Sequence, residues 1–191
     1  MKTFNPFDQY ELEEWFLQMY KFAEWSMKYN VIDMVGKTAV HKEKTYQQRS
    51  LSDITMAVIH HSDTTQGSAE SFARYQVSKG FPGIGYYSVV LPDGTRQITN
   101  SLTTKSWHAG SLLVQGDENL YGVGICNVGK FTFDRHPTDE QYESTAVEIL
   151  NIQRILRREL KIVGHGYFKD TSCPGNFDIE RLKKMINNNI K

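Results

Sequence analysis

The chain has 191 residues, 39% hydrophobic and 12% aromatic, enough to bury one ordinary domain core with a short appendage. Twenty-two Lys and Arg balance 22 Asp and Glu, so no global field draws the protein to nucleic acid or to an anionic membrane surface. No apolar run approaches the ~20 residues that span a bilayer, and the acidic residues inside MKTFNPFDQYELEEWFLQMYKF break the pattern of a secretory signal, so the chain is expected to be cytoplasmic when made.

Leu12, Trp15, Phe16, Met19 and Ala23 recur at helical spacing, predicting a helix that packs on the main domain or offers its aromatics to a membrane or wall. The polar HKEKTYQQRS at 41–50 reads as a linker, so residues 1–50 are expected to be a helical extension with linker and residues 51–191 the main domain. ITMAVIHH suits a buried strand, and Ser68 caps a helix over AESFARYQVSK that Gly80 ends. YYSVVLPDGTRQIT predicts two strands turning at Pro92-Asp93-Gly94, and YGVGICNVG an interior strand whose glycines allow close approach. Thr138 and Gln141 form a capping box ahead of a long helix with Tyr142, Ala146, Ile149, Leu156 and Leu160 on one face, interrupted by Gln153. IVGH is a last strand and IERLKKMI a last helix. Strands interleaved with helices, plus a hairpin, predict an α/β fold: a single domain with a central mixed β-sheet flanked by helices, and the N-terminal helical extension beside it.

Two imidazoles and one thiol could meet at one point in such a fold. His60 and His165 close predicted strands, and Cys173 sits in HGYFKDTSCPG, a segment whose Gly, Asp and Pro let it fold back. Catalytic zinc takes three such donors and leaves a fourth position open; the same residues are also ordinary polar rim residues of strand ends. His61 points to the other face of its strand, His41 and His136 fall in polar segments, and Cys126 reads as a small buried hydrophobe. With only two cysteines, no disulfide framework is expected.

Taken together in order and spacing, VIHHSDT, KGFPGIGYYSVVLPDGT, WHAG, NLYGVGI and GHGYFKDTSCPG resemble the type-2 N-acetylmuramoyl-L-alanine amidases of phage endolysins and the related peptidoglycan recognition proteins, over about residues 51–185. The resemblance implies one zinc ion per chain, with His60, His165 and Cys173 as ligands. It further implies Tyr86 and Thr171 as catalytic donors to the developing oxyanion, and Trp107, His108 and Asn119 as substrate-groove residues. The implied reaction is hydrolysis of the amide between N-acetylmuramic acid and L-alanine of bacterial peptidoglycan, in a monomer that waits in the cytoplasm for a holin to open the membrane. Three other readings are a metal-free peptidoglycan-binding module, a cysteine hydrolase using Cys173 and His165, and an amidase that also inhibits a cytoplasmic partner such as a polymerase. The chain departs from the family pattern at Asn100, where relatives often carry Arg, and at Gln76 and Phe81. Asn100 bears on contacts to the peptide stem, because Asn lacks the bidentate fork of Arg.

Overall fold

In a computed structural model, which describes residues 9–109 and 117–190, the buried run expected around His60 becomes strand β3 (Met56–His61), central in a sheet and buried on both faces. It lies between β7 (Gly122–Asn127) and β8 (Lys161–Gly164), parallel to both. Beyond β7 come β4 (Ser88–Val90) and β5 (Arg96–Ile98), an antiparallel pair joined by the Pro92-Asp93-Gly94 turn. The edge is β1 (Val31–Asp33), parallel to β5, so the six-stranded order is β1-β5-β4-β7-β3-β8. This is the mixed sheet expected from the alternation of strand and helix signals.

Helices cover both faces, and strand alternation sorts the core between them. Ala57, Ile59, Val90, Val123 and Ile125 meet α4 (Asp139–Leu156), α5 (Ile179–Ile190) and Phe22 of α1 (Gln9–Met27). Val89 and Cys126 face the other way, against Ala69 and Ala73 of α2 (Ala69–Ser78). Both predicted caps form: the Ser68 hydroxyl accepts from Ser71 N–H and the Thr138 hydroxyl from Gln141 N–H. α4 ends at Leu156, so the buried Leu160 lies in the segment that follows rather than on the helix.

The first fifty residues hold the expected N-terminal helix, α1, and also two short strands. β1 extends the main sheet, and Phe22 belongs to its core. In the polar stretch, β2 (Gln47–Gln48) pairs with β6 (Thr104–Lys105), and Arg49 is buried. The hydrophilic composition of 41–50 hid this because its structural role rests on hydrogen bonds to distant backbone, not on apolar burial. The aromatic helix has two characters: Phe22 and Trp25 pack inward, while Phe16 and Tyr20 are exposed. Among the described residues no helix is long and apolar enough to cross a membrane.

Candidate metal centre and substrate cleft

Strand pleating turns His60 toward the α2 face and His61 away from it, where the His61 ring packs on Phe131 and its Nδ1 accepts from Phe131 N–H at 3.3 Å. His165 opens a 3-10 turn directly after β8, the strand beside β3. Cys173 arrives on a returning loop pinned by the Gly166 N–H to Cys173 carbonyl bond (2.8 Å) and by Asn176 N–H to the Phe131 carbonyl (2.7 Å). Gly175, at φ +66°, is required in that loop: a Cβ there would lie 2.0 Å from the Phe131 oxygen.

These elements bring one donor atom each from His60, His165 and Cys173 to within 4.8 Å of one another. The Cys173 Sγ is 3.8 Å from His60 Nδ1, and the His60 and His165 rings are 4.6 Å apart. His165 bonds the Ala109 backbone, while its Nε2 is buried with no protein partner. Leaving a buried nitrogen unpaired is costly unless something else binds it. Burial, then neighbouring His108 and His165, holds His60 well below its ordinary pKa, and burial, then Lys169, lowers His165. Both imidazoles are thereby neutral and keep a lone pair. Burial pushes the Cys173 thiol up to about 11, so ionisation there requires a compensating cation. Two neutral imidazoles, one of them with an orphaned nitrogen, and a thiol at this spacing fit a divalent zinc ion.

Tyr86 precedes β4, its ring 5.4 Å from that of His60. Its carbonyl accepts from the Thr99 hydroxyl (2.7 Å) and from Asn100 Nδ2 (2.5 Å), and Gln76 Oε1 accepts from the adjacent Gly85 N–H at 2.7 Å. Two of the positions that depart from the family pattern, Asn100 and Gln76, thus hold the Tyr86 segment. Burial, then the thiols of Cys126 and Cys173, keeps the phenol well above its ordinary pKa, hence a donor. Thr171 Oγ1 accepts from Cys173 N–H at 3.3 Å, which ties this hydroxyl to the loop carrying the thiol.

His108, expected to face the substrate, is 5% exposed and lies behind His60. One of its nitrogens meets His60 Nε2 at 3.1 Å and the other the Gly122 carbonyl at 3.2 Å. The reason is room: β7 carries Gly122 and Gly124, where a Cβ would meet the imidazole at 2.9 and 2.5 Å. Trp107 packs edge-on against Tyr46 and Phe81, and Asn119 Oδ1 accepts from Ala109 N–H at 3.0 Å. Both brace the segment on either side of His108. Gly110, the last residue of WHAG, lies outside the described residues. A cleft of about 530 Å³ opens beside the cluster instead, between Asp63 and Thr64 of the β3–α2 loop, Phe72, Tyr75 and Gln76 of α2, and Tyr86.

A family model described as N-acetylmuramoyl-L-alanine amidase matches residues 50–176. The chain belongs to this family. Among solved structures, the endolysin amidase LysCS from Clostridium intestinale is 21% identical with a TM-score of 0.66, over 85% of this chain and 98% of that one. The Ph2119 endolysin of a Thermus scotoductus bacteriophage is 16% identical (TM-score 0.66, 82% and 99% covered), and the Drosophila peptidoglycan recognition protein SD is 18% identical (TM-score 0.67, 82% and 95% covered). No curated protein matches the sequence. At these identities the structures speak for the amidase fold. Sequence reasoning missed Arg49, whose guanidinium donates to the carbonyls of Leu102, Asn119, Leu120 and Gly122 at 2.6–3.0 Å. No motif marks it, since all four acceptors are backbone.

Proposed function

We propose that this amidase is zinc-dependent, with one ion held by His60, His165 and Cys173, and that it hydrolyses the amide between N-acetylmuramic acid and L-alanine in bacterial peptidoglycan. The observation that carries the reading is the convergence of three neutral donor residues, one of which, His165, has its Nε2 buried and unpartnered. Zinc bound there supplies a Lewis acid that polarises an amide carbonyl and acidifies water. Tyr86 donates its phenol proton to the oxygen on which charge develops, and Thr171 offers a second, neutral hydroxyl from the loop that carries Cys173. The cleft between the β3–α2 loop and α2 receives one arm of the substrate, with Trp107 and Asn119 bracing the segment on which His108 sits. The chain acts as a monomer.

The likeness to two endolysins supports a biological role in phage lysis, with the enzyme reaching the wall from the cytoplasm once the membrane is opened. The likeness to peptidoglycan recognition proteins supports a second reading, a binding module without catalysis; the complete donor set favours the enzyme.

Purified peptidoglycan should release new N-terminal L-alanine, activity should vanish with a strong chelator and return with zinc, and His165→Ala and Cys173→Ser should lose bound zinc. Reducing sugar ends in place of free L-alanine would make the chain a glycosidase. Undiminished activity in chelator would move the chemistry to Cys173 as nucleophile, and binding of peptidoglycan without any cleavage would leave the module reading.

A further inference from the structure

His60 and His108 form a directed hydrogen-bond chain that ends on a backbone carbonyl. A neutral imidazole has one N–H and one lone pair. The Gly122 carbonyl can only accept, so the His108 nitrogen 3.2 Å from it, Nε2, carries that ring's proton. His108 Nδ1 is then an acceptor, and the contact at 3.1 Å requires the proton of His60 to be on Nε2. What remains on His60 is the Nδ1 lone pair, and Nδ1 is the atom 3.8 Å from Cys173 Sγ.

We infer that His108 is a positioning residue for the metal centre: by accepting from His60 Nε2–H it holds His60 in the tautomer whose Nδ1 lone pair faces His165 and Cys173. This rests on the zinc reading of that cluster and deepens it. Metal-binding imidazoles are commonly oriented in this way by a partner on the second ring nitrogen. Usually that partner is a carboxylate, carbonyl or water; here a second histidine transmits the orienting force of a carbonyl. The chain is anchored at its far end by the buried Arg49, which donates to the same Gly122 oxygen at 2.6 Å, and the ring is seated by the absence of side chains on Gly122 and Gly124. Three separate features of the sequence, an arginine, two glycines and a histidine, thus converge on one proton position. The arrangement also explains why His108 is in the interior, since a ring whose two nitrogens serve this chain has none left for a substrate.

The first test needs no variant. In metal-free protein labelled with ¹⁵N-histidine, two-bond proton–nitrogen correlations should show both His60 and His108 protonated on Nε2; a proton on His60 Nδ1 overturns the inference. The second is competition for zinc against a chromophoric chelator. His108→Leu removes the acceptor and should weaken zinc binding roughly 10- to 100-fold. His108→Gln can present an oxygen to His60 and an amide to Gly122, and should bind close to wild type. Unchanged affinity in the Leu variant, or equal losses in both, refutes the positioning role. Thermal unfolding of the metal-free proteins checks that each variant folds; where the Leu variant does not, the tautomer measurement decides. Wild-type protein that takes up no zinc would sink the metal reading itself, a result distinct from either outcome above.

Discussion

Gly124→Ala is expected to disturb the metal centre from a residue that touches none of the three donors. A Cβ at this position would lie 2.5 Å from both Cβ and Cγ of His108. To reach an ordinary contact of 3.4 Å the imidazole must retreat by about 0.9 Å, the difference between those distances. His108 Nδ1, the atom that meets His60 at 3.1 Å, is itself 3.0 Å from that Cβ, so the same retreat carries it out of its present hydrogen-bond geometry. Two effects follow. Overpacking a filled interior costs typically ~1–3 kcal/mol, partly offset by the ~0.4–1 kcal/mol that Ala gains over Gly from a less flexible unfolded chain. In a chain of this length each kcal/mol moves the unfolding midpoint by ~2–4 °C, so the metal-free variant should melt several degrees lower. Zinc affinity should fall in the same way as for His108→Leu. Calorimetry of the metal-free protein and the chelator competition read the two effects separately. An alanine variant with wild-type melting and wild-type zinc affinity would show that the His108 ring is not confined by β7, and the chain of argument from glycine to tautomer would fail.

Tyr86→Phe should keep zinc content and lower kcat by about 10²–10³, the usual cost of losing one oxyanion donor; a kcat within a few-fold of wild type would remove Tyr86 from the chemistry. Arg96→Met leaves Glu148, paired with Arg96 at 3.2 Å and buried, without its counter-charge. The cost should be about 3–5 kcal/mol in urea unfolding, and less than about 1 kcal/mol would mean that water reaches the carboxylate. In metal-free protein, His108 is lowered to about 3, chiefly by burial, and His60 well below its ordinary value. Both titrate near ~6.5 when unfolded, so between those values the unfolded chain binds more protons. Their stabilising contribution is therefore full above pH ~6.5 and is lost as pH falls toward ~3, with a slope of up to ~1.4 kcal/mol per pH unit for each. Unfolding free energy that stays flat from pH 6.5 to 4.5 would refute the burial of these neutral rings.

Where a feature depends on residues close in the chain, the sequence by itself determined it. The apolar run placed His60 near the end of β3, and strand pleating turned His61 away. Ser68 and Thr138 marked helix starts because an exposed N–H finds its acceptor within three residues. Pro92-Asp93-Gly94 gave the hairpin because turn geometry is local. The donors His60, His165 and Cys173 were legible through ordered family segments, since neither strand ends nor loops alone distinguish a ligand from a rim residue. Tertiary structure decided the rest. β1 joins the sheet only through β5, 65 residues further along the chain. Arg49 finds its carbonyls 53 to 73 residues away. His108 lies behind His60 in space left by two glycines on a neighbouring strand, and that space is visible only when the strand is packed against the ring. Periodicity reports which face of an element is buried; it carries no information on which distant backbone group a buried polar side chain will meet, and that meeting orients the centre.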